Sequence, residues 1–233
     1  MIKKFMYFMT IVPALCFADN STGYVDDDNV PITFQRIDSV AGIGASYVSG
    51  SLNGSDYGTN GLALSVSKLF NNNVWINFNA QAAYNVSNIS NGNQSFLNGD
   101  VGYAFNAGNR FQVIPNIQIQ RLQVGGTINN ETSTAVVTNE LLDIRLELIA
   151  NRHLLLFADG GYGPSQLSLA NDEPGQNTNN VSSEGLFQFV AGIAWKPIFS
   201  VPWAFKGQYI HQNYNYNGFG ATDGYILSTG IAF

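Results

Sequence analysis

The most constraining feature of this sequence is a two-residue alternation of side-chain character that recurs through most of its length. It is clearest between residues 74 and 87. There one set reads Val74, Ile76, Phe78, Ala80, Ala82, Tyr84 and Val86, and the other reads Trp75, Asn77, Asn79, Gln81, Ala83, Asn85 and Ser87. Because successive side chains on a β-strand point to opposite faces, this period predicts a strand with one apolar face. The second face is rich in uncharged amides, which is typical of an enclosed polar interior rather than a solvated surface.

The chain ends on a segment of the same kind. Tyr225, Leu227, Thr229, Ile231 and Phe233 share one face, and mostly small residues fill the other. This ending resembles the last strand of bacterial outer-membrane β-barrels, which typically closes with Phe. The resemblance identifies the chain as a member of the small outer-membrane β-barrel proteins, which include adhesin-like and porin-like members. It implies that Tyr225, Leu227, Ile231 and Phe233 form a signal for the barrel-assembly machinery.

Composition agrees with a barrel and excludes other classes. Only 11% of residues are charged, yet mean hydropathy is close to zero, because Asn, Gln, Ser, Thr and Gly supply the polarity. This mixture suits β-structure with one apolar and one neutral polar face. The net charge of −6 disfavours a nucleic-acid partner.

The first residues predict export. Lys3 and Lys4 precede an apolar run that is too short to span a bilayer as a helix, and Ala18 offers a small residue before a cleavage site at Asp19. We therefore expect a signal peptide over residues 1–18, a periplasmic leader over 19–36 and a transmembrane barrel over 37–233. A lipoprotein signal at Cys16 is disfavoured by the bulky residue before it. Cleavage removes the only cysteine, so we expect no disulfide, thiolate nucleophile or cysteine metal ligand. No cofactor and no metal site are predicted.

The alternation divides the barrel region into ten segments, each long enough to cross the hydrocarbon as a tilted strand. They cover residues 37–49, 57–70, 73–88, 94–106, 110–124, 135–150, 153–167, 184–196, 202–214 and 222–233. Short connections alternate with longer polar ones at 50–56, 88–93, 125–134, 168–183 and 215–221, as in barrels with short periplasmic turns and long outer loops. The fold class predicted is all-β, a closed up-and-down antiparallel transmembrane barrel. Ten strands fit best, and eight remain possible if two weak segments are loops.

The parity of the strands places most mid-strand charges inside the barrel. The set is Asp38, Asp100, Asp143, Arg145, Glu147, Asp159, Lys196 and Lys206. Two interpretations stay open: a salt-bridged network that fills a narrow lumen, or a polar filter that selects small solutes. Trp75, Leu141, Leu155 and Phe157 share the inward face, which favours a filled lumen.

Catalysis by the barrel is not expected. Omptin-like proteases place acidic residues and a His at the outer rim, and His211 with Asp223 lies near that rim. However, the paired acidic motif of those enzymes is missing, and no Ser/His pairing matches the lipid A deacylase or acyltransferase barrels. An omptin-like or lipid-modifying enzyme is therefore the least favoured alternative.

Two functions of different classes remain. In the first, the barrel is a scaffold in the bacterial outer membrane whose loops bind a host surface, an envelope protein or lipopolysaccharide. Asp172, Glu173 and Pro174 in the 168–183 connection are then the expected contacts, because loops on a rigid frame usually carry recognition. In the second, the barrel is a narrow porin-like channel for small solutes.

Overall fold

The strands form one closed antiparallel sheet. The structure, a computed structural model, describes residues 39–52, 54–107, 110–128, 131–151, 153–173, 176–198, 202–214, 216 and 219–232. Its strands are β1 (Val40–Leu52), β2 (Ser55–Leu69), β3 (Val74–Tyr84), β4 (Ser90–Tyr103), β5 (Phe105–Asn106), β6 (Phe111–Ile128), β7 (Glu131–Asn151), β8 (Leu154–Glu173), β9 (Gln176–Trp195), β10 (Trp203–Asn213) and β11 (Thr222–Ala232). Within these residues there is no helix long and apolar enough to cross a membrane.

Each strand pairs with its neighbours in sequence, and two pairings close the ring. β1 pairs with β11 from Val40↔Ala232 to Ser49↔Asp223, and β4 pairs with β6. The two-residue strand β5 continues the line of β4 alongside β6 after a break at Ala104. The prediction of a closed antiparallel barrel of about ten strands is confirmed, with β5 as one extra strand. Closure matters physically because every backbone donor and acceptor in a lipid environment needs a partner within the protein.

The outward face carries a continuous apolar surface. Large exposed side chains include Ile43, Leu62, Leu97, Val101, Ile117, Ile119, Leu142, Ile144, Ile193, Leu227 and Ile231, each between 46% and 78% exposed. Water-soluble proteins rarely expose an apolar surface of this extent, whereas a barrel in lipid requires it.

Aromatic side chains lie at both ends of this apolar surface. Trp195, Trp203 and Phe105 are exposed beside the short turns, and at the opposite end Tyr225 lies between Tyr47 and Tyr209, with ring centroids 6.4 and 5.1 Å away. Aromatic girdles are therefore present at both ends. Rings of this kind favour the interface between lipid and water.

Several predicted boundaries were wrong, and the largest error concerns the long connections. The 168–183 segment is not a loop: β8 continues to Glu173 and β9 begins at Gln176, paired as far as Glu173↔Gln176. The 125–134 segment likewise continues β6 and β7 up to Ile128↔Glu131. Sequence pattern underestimated these strands because the ladder of backbone hydrogen bonds continues through residues whose side chains are polar.

Smaller errors concern two further connections and the end of β3. The connections 50–56 and 88–93 are shorter than predicted, since β1 reaches Leu52, β2 starts at Ser55 and β4 starts at Ser90. β3 instead ends early, at Tyr84, because Asn85 and Asn88 have positive φ angles of 67° and 60° and turn the chain. Asparagine tolerates this left-handed conformation better than most residues.

The predicted signal peptide, the leader and Asp38 lie outside the described residues, as do Pro174 and Phe233. Among the other residues predicted for the assembly signal, Tyr225, Leu227 and Ile231 point outward and are 50%, 69% and 57% exposed.

Candidate functional site

At the end with the short turns, the lumen is filled by an apolar layer. Its buried members are Leu69, Trp75, Ala104, Ile114, Ile149, Leu155 and Ala194. They come from six different strands and from the break between β4 and β5, so they converge only once the barrel has closed. Trp75 is 2% exposed, and Ile114 and Leu155 are fully buried. This layer closes the lumen at the end of the barrel that has the short turns.

Above this layer lies a charged layer centred on Arg145 of β7. Its Nε lies 2.5 Å from Glu147 Oε1, and its Nη1 lies 3.4 Å from Asp159 Oδ2. The guanidinium also lies between two rings, 4.9 Å from the centroid of Trp75 and 3.9 Å from that of Phe157. Arg145 is 2% exposed, so its charge is compensated by carboxylates and aromatic faces rather than by solvent.

Two further carboxylates belong to the same region. Asp100 Oδ2 accepts hydrogen bonds from Asn77 Nδ2 at 2.5 Å and from Asn98 Nδ2 at 3.0 Å. Lys206 Nζ donates to Asn77 Oδ1 at 3.4 Å. Asp143 packs against Gly161, where a Cβ atom would come within 2.7 Å of its carboxylate. Asp100, Asp143 and Lys206 are 4%, 3% and 3% exposed.

A layer of amides crosses the lumen above the charges. Gln188 of β9 donates to Gln118 of β6 at 2.6 Å, and Gln212 of β10 donates to Gln120 of β6 at 2.5 Å. Asn139 of β7 donates to Gln120 at 3.0 Å. Because β6 is not adjacent to β9 or β10 in the sheet, the glutamine bonds span the interior rather than follow its wall. Sequence alternation indicated the inward face of these residues but not their partners across the barrel.

The outer half of the lumen is apolar, which the sequence did not predict. The segment after β10 turns inward, placing Tyr214, Tyr216 and Phe219 among the buried side chains of the walls. Phe219 forms an isolated bridge with Leu52 at the end of β1, and its ring lies 5.2 Å from that of Tyr214. Asn139 Nδ2 donates a hydrogen bond to the Tyr214 hydroxyl at 3.0 Å. Burial raises the pKa of the Tyr214 phenol, so this side chain stays neutral.

The predicted lumen charges are therefore inside the barrel but not in contact with a water-filled channel. Arg145, Glu147, Asp143 and Asp100 are at most 4% exposed, Lys196 is 8% exposed, and the carboxylate side chain of Asp159 is 13% exposed. Apolar layers lie on both sides of them. In the described part of the chain, side chains from several strands meet across the lumen at each of these levels.

On the outside, β6 to β9 extend beyond the rest of the wall. Pairing between β9 and β10 ends at Asn213↔Phe187, whereas β9 pairs with β8 from Trp195 back to Gln176. Among the described residues, residues 176–186 of β9 therefore pair with a strand on one side only. At about 3.3 Å per residue, this free edge runs for roughly 36 Å. We call the outer part of β6–β9, which lies past the last β10 pairing at Phe187, the protruding sheet. Asp172 and Glu173 lie within it, at the end of β8.

The candidate catalytic pair of the outer rim faces away from the lumen. His211 Nδ1 lies 2.9 Å from Asp223 Oδ1, which also accepts a hydrogen bond from the Tyr209 hydroxyl at 2.5 Å. These side chains are partly exposed beside the tyrosine girdle on the lipid-facing side. No group of three or more His, Cys, Asp or Glu side chains suited to a metal is found among the described residues.

Comparison with known proteins identifies the fold. OmpT, the outer-membrane protease of Escherichia coli, superimposes with a TM-score of 0.50 at 7% identity, over 84% of this chain and 96% of that one. The translocator domain of the autotransporter NalP from Neisseria meningitidis gives 0.46 at 12% identity, over 100% and 96% of the two chains. Ail, the attachment invasion locus protein of Yersinia pestis, gives 0.41 at 12% identity, over 85% and 99%. No protein-family model matches the sequence, and no curated protein is significantly similar to it. The likeness to OmpT shows the architecture of an outer-membrane β-barrel.

Proposed function

We propose that this chain is an outer-membrane barrel that acts as a scaffold and binds another protein through its protruding sheet. The observation that carries the proposal is the contrast between a filled lumen and a sheet that extends on one side only. Among the described residues, glutamine bonds cross the lumen and apolar layers bound it, which supports a scaffold rather than a channel. The surface available for function is therefore the outer one.

The edge of β9 is the part of that surface with the clearest chemistry. An edge strand presents unpaired backbone N–H and C=O groups that can pair with a strand from another chain. Natural proteins usually protect such edges with Lys or Pro, and residues 176–186 contain neither. The exposed side chains from Val181 to Glu184 are mostly small and carry a single charge, at Glu184. We infer that the partner supplies an extended segment that adds to this edge.

Of the contacts expected from the sequence, Asp172 and Glu173 lie at the end of β8 rather than in a long loop. Backbone pairing along β9 would supply affinity, and residues at the tip would contribute to selectivity. A host surface protein or an envelope protein fits this role, with outer-membrane lipid and lipopolysaccharide around the barrel wall. The proposal includes no catalytic role for His211 and Asp223.

Adhesion of bacteria that display the protein would test the proposal. We expect cells with the full chain to be retained on a host-cell monolayer, and cells in which residues 166–183 are replaced by an Asn-Gly turn, which removes most of the β9 edge, to lose this retention. The matched control replaces only residues 174 and 175 with the same turn, which keeps the edge and should keep adhesion. Equal retention of cells with the shortened hairpin and cells with the full chain would refute the proposal.

A planar bilayer separates the scaffold from a channel. The purified barrel should give no discrete conductance steps. Steps whose size changes in Arg145→Ala or Lys206→Ala would instead establish a narrow pore with the inner charges as its filter.

A further inference from the structure

The free edge of β9 stands beside a step in the rim of the barrel. β10 ends at Asn213, opposite Phe187 of β9, while β9 continues over residues 176–186 and pairs there with β8 alone among the described residues. The chain after β10 turns inward and buries Tyr214 instead of following β9. At about 3.3 Å per residue and a tilt of about 40°, residues 176–186 rise roughly 28 Å along the membrane normal. The edge and the step beside it therefore match each other in length.

The edge can pair with itself in the antiparallel direction. A two-fold axis perpendicular to a sheet reverses the direction of a strand and keeps each face of the sheet on its own side. Side chains that lie opposite each other across two strands share a face, so with such an axis one residue pairs with its own copy. The longest pairing of residues 176–186 with a second copy has Val181 at its centre, opposite Val181 of that copy.

The residues along the edge suit this self-pairing. Val181 is 60% exposed, and two valines that lie opposite each other remove apolar surface from water. Glu184 is the only charged residue of the sequence between 176 and 186. In this register it lies opposite residue 178, so the two glutamates are about 20 Å apart along the strands. This separation exceeds the screening length of about 8 Å at physiological ionic strength, so their repulsion is weak.

We propose that the partner of this edge is a second copy of the chain in a facing membrane, bound by antiparallel pairing of the two β9 strands. The two-fold axis inverts the barrel together with the strand, so the two copies point in opposite directions. Copies in one membrane all point the same way and cannot form this pair. The protein therefore links two outer membranes, and through them two bacteria. This inference rests on the proposed function, because it uses the same edge and names what pairs with it.

The link depends on many copies acting together. A single pair of short strands is a weak contact, whereas copies fixed in two facing membranes bind with the avidity of all their pairs. Because the edge rises only roughly 28 Å, full pairing requires the two membranes to lie close together. A thick polysaccharide coat between the membranes opposes this approach, so the test uses membranes without one.

Vesicles test the proposal in the absence of polysaccharide and of host protein. The full chain refolded in phosphatidylcholine vesicles should make the vesicles aggregate, as measured by light scattering, while vesicles without protein stay dispersed. Val181→Lys and Val181→Asp each place two like charges opposite each other at the two-fold axis, and each should lower the aggregation rate about tenfold. Mixing the two kinds of vesicle should restore aggregation, because the ammonium of one variant then faces the carboxylate of the other.

Ser183→Lys is the matched control. Ser183 is exposed on the same edge and shares the outward face of Val181, but it lies opposite residue 179 of the second copy. The two substituted lysines are then about 13 Å apart along the strands, so this variant should aggregate vesicles like the unmodified chain. Heat-modifiable migration verifies that each variant has folded as a barrel.

Two results overturn the inference: vesicles with the unmodified chain that stay dispersed, or a mixture of Val181→Lys and Val181→Asp vesicles that aggregates no faster than either alone. If the vesicles stay dispersed while cells adhere to the host monolayer through residues 166–183, the proposed function stands and the partner is not a second copy. If the vesicles aggregate as described while cells with the full chain are not retained on the monolayer, the second copy is the partner and a host surface is not.

Discussion

The effect on stability of an arginine substituted on the outward face of β7 distinguishes a barrel in lipid from a barrel in water. The outward residues Leu142, Ile144, Leu146 and Leu148 are 72%, 54%, 43% and 44% exposed, and Ile144 lies near the middle of this run. In lipid, Arg at the bilayer midplane costs about 2–4 kcal/mol. Ile144→Arg should therefore lower the folding equilibrium constant by roughly 30- to 900-fold, since 1.4 kcal/mol is a factor of ten. In water, a substitution at so exposed a site usually changes stability by about 0.5 kcal/mol or less.

Thr138→Arg is the matched control on the same strand and face. Thr138 is exposed and lies six residues from Ile144 toward the outer end. This is about 20 Å along the strand and, at a tilt of about 40°, roughly 15 Å along the membrane normal. The apolar band is about 25 Å tall, so Thr138 lies beyond its edge and Arg there should cost about 0–1 kcal/mol.

Guanidinium titration of the protein refolded in phospholipid vesicles measures the free energy of unfolding of both variants, with tryptophan fluorescence as the signal. The reasoning is refuted if Ile144→Arg is as stable as the unmodified chain, or if the two arginine variants lose the same free energy. Refolding of the unmodified chain to a soluble monomer without lipid or detergent would refute it as well.

Three further substitutions test the packing of the interior and the seam. Arg145→Ala leaves buried carboxylates without compensation and should cost about 3–5 kcal/mol in the same titration; a loss below about 1 kcal/mol would contradict the charged layer described above. Leu155→Ala opens a cavity in a fully buried position and should cost about 2–5 kcal/mol, whereas Leu156→Ala, at a site 38% exposed, should cost clearly less. Gly44→Val should reduce the yield of heat-modifiable barrel, because its Cβ would collide with the Leu227 carbonyl oxygen of β11, while Ala45→Val on the outward face should fold normally.

The sequence predicted the wall of the barrel well because alternation is a local property. Whether Phe78 or Asn79 faces lipid depends only on the parity of the strand, and a strand keeps that parity over its whole length. The same reasoning placed Arg145 and Asp143 inside, and their burial agrees. It failed at strand ends, because the length of β8 and β9 depends on continued backbone pairing and not on side-chain polarity.

The sequence did not predict which side chains meet inside the lumen. Gln120 and Gln212 are 92 residues apart, and their contact depends on the radius of the closed barrel and on the stagger of its strands. The inward turn that buries Tyr214 and Phe219 depends in the same way on the space that the walls leave.

The sequence by itself determined that the chain forms a closed sheet of about ten strands and which side of each strand is apolar. Only the tertiary structure decided which side chains meet across the interior, that Asp100 and Asp143 line one pocket with Arg145, and that β9 has an edge without a described neighbouring strand. The physical reason is the range of the interactions involved. Side-chain alternation is fixed between neighbouring residues, whereas contacts across a lumen and the end of a strand pairing exist only after the whole ring has closed.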